Sequence, residues 1–195
     1  MPFYYVQLSS IARPSWPWFR DSQRRMMAEI PNTGMAVSSD YGDSLDVHPR
    51  NKKPVGERLA RWALNKTYGM HDVLPSGPLF CQDVVYVTFD YGKGLKSSDG
   101  GPLRTFEVAE TDGVYYPAVA EIINGQIKVY SEQVKRPRYI RYGWQPFTRA
   151  NLVNEAGLPA STFRAEAPES FVADLHLQRM EGFPKSEKGL KSGVS

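Results

Sequence analysis

Residues 35–53 read MAVSSDYGDSLDVHPRNKK, a short apolar run leading directly into a loop that carries Asp40, Asp43, Asp46 and His48. What flanks this stretch decides the fold. Upstream, FYYVQL at 3–8 is continuously apolar, as expected for a strand covered on both faces. Between the two runs, Pro17 suits a first helical position. Phe19, Gln23, Met26, Met27 and Ile30 then recur at helical spacing over 16–30, and PNTG at 31–34 stops the helix. Strand 3–8, helix 16–30 and strand 35–38 form a βαβ crossover, which requires a parallel pair of strands.

Downstream of the loop, Pro54 opens a second helix over 54–68. Val55, Leu59, Trp62, Ala63 and Lys66 mark one face of it, and Gly69 fits the position just beyond its end. His48 therefore lies between the carboxyl end of a parallel strand and the next helix. Open α/β sheets bind their ligands at that edge.

The pattern changes after residue 75. PSGP at 75–78 is a turn or linker, and five β-rich runs follow at 84–91, 105–110, 115–123, 126–131 and 138–144. Turn signals separate them, at Ser98–Gly101, Asp112-Gly113 and Asn124-Gly125. Asn-Gly between two strand-like runs is the strongest, because a type I′ hairpin needs φ > 0 at both positions. The reading is an α/β unit with a parallel sheet at 1–75, then an all-β antiparallel sandwich at 76–165. Residues 166–195, rich in Lys, Ser and Gly toward the end, read as a disordered tail.

Composition is that of a globular protein, with 41% apolar, 23% charged and 12% aromatic residues in 195. A formal net charge of +3, without a basic run, argues against a nucleic-acid partner. No stretch reaches the roughly 20 apolar residues a membrane span needs. Cys81, alone and in the apolar setting LFCQDVVYV, reads as a buried inert thiol. The opening MPFYYVQLSS lacks a basic n-region and a cleavage site; it reads as a strand in mid-fold and hints at an incomplete chain.

Three readings of the 40–48 loop stay open on residue types alone. Aspartates form turns and cap helices, and His48 would then be an ordinary loop residue. One histidine and several carboxylates also suit a hard cation. The third reading is acyl transfer: an imidazole half-protonated near neutral pH takes a proton from a serine and returns it to a leaving alcohol, if a carboxylate fixes its tautomer. His71 and His176 have no compelling partner in sequence. Trp16, Trp18 and Phe19 beside Arg20 suit either core packing or a sugar.

The stretch DVHPRNKKPVGERLARWALNKTYG resembles the closing catalytic block of the sialate O-acetylesterase family, a branch of the SGNH (GDSL-like) hydrolases. FYYVQLSSI, WPWFRDSQRRMMAEIPNTGMAVSSDYGD, GLKSSDGGPLRTFEVAETDGVYYPAVAEI and RYGWQPFTRANLVNEAGLPASTFR resemble further family segments in the same order, so the likeness covers residues 3–165. It implies a carbohydrate ester hydrolase of Ser-His-Asp type, acting on an O-acetylated sugar such as sialic acid. No cofactor or metal is implied. On that resemblance His48 is the catalytic base and Asp46 its acid, with Asp43 and Asp40 as alternatives. The wider SGNH pattern places the acid three residues before the histidine, where this chain has Leu45. Arg20 and Gln23 match an Arg-x-x-Gln element, carried over as architectural or substrate-facing.

The family's serine motif, of Gly-Gln-Ser-Asn type, does not occur here, and Ser9, Ser10, Ser38, Ser39 and Ser44 lack its context. The expectation is a C-terminal portion without a nucleophile, inactive alone, whose other half lies elsewhere. The alternatives are a non-catalytic fragment, whose sandwich binds glycans through Tyr91, Tyr115, Tyr116 and Trp144 or braces the hydrolase domain, and a truncated gene product without activity of its own. The family's members are commonly exported or lysosomal.

Overall fold

The computed structural model describes residues 1–82 and 85–167. Strand β1 (Phe3–Val6), helix α1 (Trp16–Glu29) and strand β2 (Thr33–Ala36) form the expected crossover. The two strands pair in parallel, from Phe3 opposite Thr33 to Val6 opposite Ala36. The parallel sheet stops at this pair among the described residues. A 3₁₀ turn at Ser39–Tyr41 opens the loop, and helix α2 (Lys53–Trp62) follows and ends in a π turn at Ala63–Thr67. Pro17 and Pro54 stand in the first turns of α1 and α2, where a missing N–H costs nothing. Trp62 is buried and donates its indole N–H to Met35 O at 2.9 Å. It lies against Gly34, where any Cβ would overlap the indole.

The remaining strands are short: β3 (Leu79–Gln82), β4 (Tyr86–Asp90), β5 (Lys96–Ser97), β6 (Phe106–Ala109), β7 (Tyr116–Pro117), β8 (Val119–Ile123), β9 (Gln126–Tyr130), β10 (Tyr139–Tyr142), β11 (Leu152–Val153) and β12 (Phe163–Glu166). They assemble two four-stranded antiparallel sheets, ordered β3-β4-β9-β8 and β12-β10-β6-β7, with β5 and β11 as a separate pair. One core joins the two larger sheets, with Val87, Ile127 and Val129 from the first and Phe106, Val108, Ile140, Tyr142 and Phe163 from the second. That is a sandwich. The hairpin at Asn124-Gly125 has φ of 50° and 78°, as a type I′ turn requires.

Three burial expectations are overturned. Strand β1, expected to be covered on both faces, leaves Phe3 and Val6 exposed. Cys81 is exposed: β3 lies at the edge of its sheet, and its register on β4 shifts between Phe80, which stacks on Phe163, and Gln82, leaving Cys81 opposite no residue. Trp144, read as an exposed stacking platform, is buried at 8% exposure against Trp18. The inner face of α1 also differs from the expected apolar stripe. Phe19 and Ile30 are exposed, while Pro17, Arg20 and Asp21 are buried.

Arg20 explains that reversal. Its guanidinium donates to Thr162 Oγ1 (3.0 Å), Pro146 O (3.0 Å), Gly143 O (2.9 Å) and Gln145 O (2.7 Å). Burial pulls its pKa down to about 10, so the group stays charged at neutral pH. Five fixed N–H donors on a planar group satisfy four acceptors that no aliphatic side chain could serve. The α/β unit is thus fastened to the sandwich through α1. Glu166 closes β12, and the rest of the expected tail, with His176, lies outside the described residues except for Ala167.

Candidate active site

Two loops lie side by side at the carboxyl end of the parallel pair. The chain leaving β1 runs on through Gln7–Ala12, and the chain leaving β2 is the loop that carries His48. Gln7 N–H donates to Ala36 O at 2.8 Å, and Ser38 Oγ to Gln7 O at 2.8 Å. Further out, Ser9 Oγ donates to Val47 O at 3.3 Å and Ala12 N–H to Ser44 O at 3.1 Å. Gly42 sits against the Ser10 backbone, with no room for a side chain. The first loop is tied in turn to the sandwich, since Ile11 N–H donates to Pro146 O at 3.3 Å and Thr148 N–H to Ser10 Oγ at 3.4 Å.

On this platform His48 is exposed. Its backbone N–H donates to Asp46 Oδ1 at 2.8 Å, and Leu45 N–H donates to Asp43 Oδ1 at the same distance. Both are Asx turns, which fold the loop locally. Asp40 is held elsewhere: Arg58 donates Nη1 and Nη2 to its two oxygens, each at 2.7 Å, and a further Nη1 bond to Val37 O at 2.7 Å. The Arg58 guanidinium also covers the Tyr41 ring at 5.1 Å. Among the described residues no carboxylate oxygen is in hydrogen-bond or ion-pair contact with the His48 imidazole. No three of the His, Cys, Asp and Glu side chains gather around a possible metal position among the described residues.

The serines near this edge are part of the framework. Ser9, Ser10, Ser38 and Ser39 are buried, three of them in the bonds just described. Ser44 is exposed in the loop. Gln23, grouped with Arg20 in the sequence, accepts Leu8 N–H at 2.8 Å and donates to Val6 O at 3.3 Å, so both side chains brace the platform from α1. His71 is exposed in a turn after α2. Sequence reasoning did not single out Arg58. Its signal, a helical arginine facing a strand end, is indistinguishable from a solvated arginine until the topology is known. No helix among the described residues is long and apolar enough to cross a membrane.

No family model matches the chain, and no curated protein does. A match exists among solved structures: the crystal structure of a carbohydrate acetylesterase from Xanthomonas citri superposes with a TM-score of 0.78 at 36% sequence identity. The match covers 85% of this chain but 41% of that one, so the chain spans less than half the length of its structural relative. Over nearly all its described length, the chain is similar to part of a carbohydrate esterase.

Proposed function

We propose that this chain is the C-terminal portion of a carbohydrate O-acetylesterase, with His48 as the general base and Asp46 as the acid that orients it. The observation that carries the reading is the 36% identity to a carbohydrate acetylesterase across 85% of the chain, together with an exposed histidine at the carboxyl edge of a parallel strand. In this proposal β1 and β2 are the last strands of an SGNH-type parallel sheet, residues 1–75 are the end of the hydrolase domain, and 76–165 are its sandwich. The uncovered apolar residues Phe3 and Val6 on β1 support it, since parallel sheets are ordinarily covered on both faces.

The chemistry follows from the groups. A serine from outside these residues gives its proton to the imidazole as its oxygen attacks the acetyl carbonyl. The resulting imidazolium hands that proton to the departing sugar oxygen, leaving an acetyl-serine. Water then attacks with the same imidazole as base and releases acetate. Of the three aspartates, Asp40 is occupied by Arg58 and Asp43 lies further back along the loop. Asp46 has an oxygen, Oδ2, with no hydrogen bond among the described residues, and the imidazole turns onto it on assembly with the nucleophile. The substrate is an O-acetylated sugar, of which an acetylated sialic acid is the finer reading. No cofactor takes part.

The test has two arms. The purified chain is assayed on 4-nitrophenyl acetate and on an O-acetylated sugar, with no rate above the blank expected; a rate abolished by His48→Ala would place the nucleophile inside the chain. Residues 38–68 are also transplanted into the Xanthomonas citri acetylesterase in place of the matched stretch. The chimera is expected to release acetate and to lose roughly 10³-fold or more on His48→Ala. A chimera indifferent to that substitution removes His48 from the reaction.

A further inference from the structure

One concave surface has no lining residue within 38–53. It is a groove of about 880 Å³ where α1 meets β10 and β12, within the usual range for a small-molecule site. Its walls combine aromatic faces with arginines. Trp18, half exposed at 51%, projects from α1, and Tyr115, Tyr139 and Phe80 contribute further rings.

The charges in and around the groove do not balance. Arg24 and Arg25 share one carboxylate, Asp21, at 2.9 Å each. Arg141 forks onto Glu107 at 3.0 and 2.8 Å while its guanidinium covers Tyr115 at 3.9 Å. Arg138 pairs with Glu166 at 2.8 Å. Arg164 has no such partner: among the described residues its side chain makes neither hydrogen bond nor ion pair. It lies over the Trp18 ring at 4.3 Å and 5.9 Å from Trp144, and the two indoles meet edge to face at 5.2 Å. Four arginines, Arg24, Arg25, Arg141 and Arg164, thus line the groove against one lining carboxylate, Glu166.

The stacking matters chemically. A guanidinium placed over an indole gains cation–π attraction from the ring without using its N–H bonds, and those of Arg164 are taken by no described residue, so they stay available for a carboxylate. Holding the group on two tryptophans also removes rotamer freedom that a binding event would otherwise have to freeze. Aromatic faces beside a planar, unpaired guanidinium match a pyranose ring bearing a carboxylate: the ring packs on the indole, and the acid takes the fork.

We propose that this groove binds an acidic saccharide, with Arg164 as the carboxylate anchor and the exposed Trp18 as the sugar platform. The proposal does not depend on esterase activity, because binding to the chain is measured directly. Isothermal titration calorimetry of the full chain is run against trigalacturonate, 3′-sialyllactose and neutral cellotriose. Saturable binding of at least one acid is expected, tenfold or more tighter than cellotriose, and the acid that binds distinguishes a uronate from a sialate. Arg164→Gln should weaken that binding by about tenfold or more, the usual worth of a charged hydrogen-bonded fork, with an unchanged thermal midpoint. Absence of binding by both acids, equal affinity for cellotriose, or a well-folded Arg164→Gln chain that binds as before overturns the proposal. If that variant does not fold, the acid-against-neutral comparison on the unsubstituted chain decides alone, and its salt dependence must show the acid weakening as ionic strength rises.

Discussion

Asp46 Oδ1 accepts the backbone N–H of His48 at 2.8 Å, so the acid reaches the histidine through the main chain while the imidazole stays exposed. Asparagine keeps that acceptor and alanine does not. In Asp46→Asn the His48 amide should exchange with solvent at nearly its original rate; in Asp46→Ala it should exchange about tenfold faster. In the acetylesterase chimera, by contrast, both variants should lose activity heavily, by roughly 10⁴-fold for the asparagine, because an amide cannot hold the imidazolium. An active Asp46→Asn chimera would reduce Asp46 to a turn former.

Arg20 should be the most costly single side chain to remove from the framework. Arg20→Ala takes a donor from three backbone carbonyls and the Thr162 hydroxyl; Gln145 O is left with none among the described residues, while Pro146 O keeps the Ile11 N–H and Gly143 O keeps Thr162 Oγ1. We expect a loss of about 3 kcal/mol or more in urea unfolding. Arg20→Lys should recover only a minor part, since one ammonium cannot span the four acceptors. A midpoint within experimental error of the unsubstituted chain would contradict this.

Gly34→Ala introduces a methyl that overlaps the Trp62 indole. The indole is pinned by its bond to Met35 O, so it cannot simply retreat. A destabilisation of about 1–3 kcal/mol is expected, with a shift in tryptophan emission as the ring is displaced. Gly56→Ala, in α2 with open space around it, is the control and should be neutral or slightly stabilising.

Asp99 supplies a pH prediction. The Asn151 side-chain N–H at 3.0 Å, Arg104 at 2.6 Å and the Gly101 N–H at 3.2 Å hold its carboxyl below the ordinary value near 3.8. A depressed acid binds fewer protons folded than unfolded, so its stabilisation is present above pH 3.8 and fades as pH falls through the lower folded midpoint. A carboxyl ¹³C titration should place that midpoint below 3.8, and Asn151→Ser should move it upward.

Much of the architecture was legible because local chemistry and global fold agree. Pro17 and Pro54 begin helices, Asn124-Gly125 turns a hairpin, and an apolar run before and after one helix gives a parallel pair. Strands β3, β5, β11 and β12 were not legible: two are only two residues long, and Phe163–Glu166 (FRAE) carries no apolar alternation strong enough to stand out. The face of α1 was misread for a physical reason. Apolar periodicity finds a greasy stripe, whereas this helix docks through a charged group that satisfies carbonyls, and that demand exists only once the sandwich is in place. For the loop, the Asx turns of Asp43 and Asp46 and the Arg58 pair of Asp40 were not legible, because an Asx turn and a side-chain triad draw on the same residue types. Arg164 carried no signal in one dimension; its isolation is visible only when its neighbours' ion pairs are known.

The four-bond grip of Arg20 has a consequence for evolution and engineering. Because the same carbonyl row at 143–146 anchors both α1 and the strand-exit loop next to the histidine loop, the sandwich acts as a jig for the platform on which that loop stands. On the proposed assignment of His48 as the base, exchanging that module for another of like shape would misplace the histidine, unless the donor module brought the same row of oxygens with it.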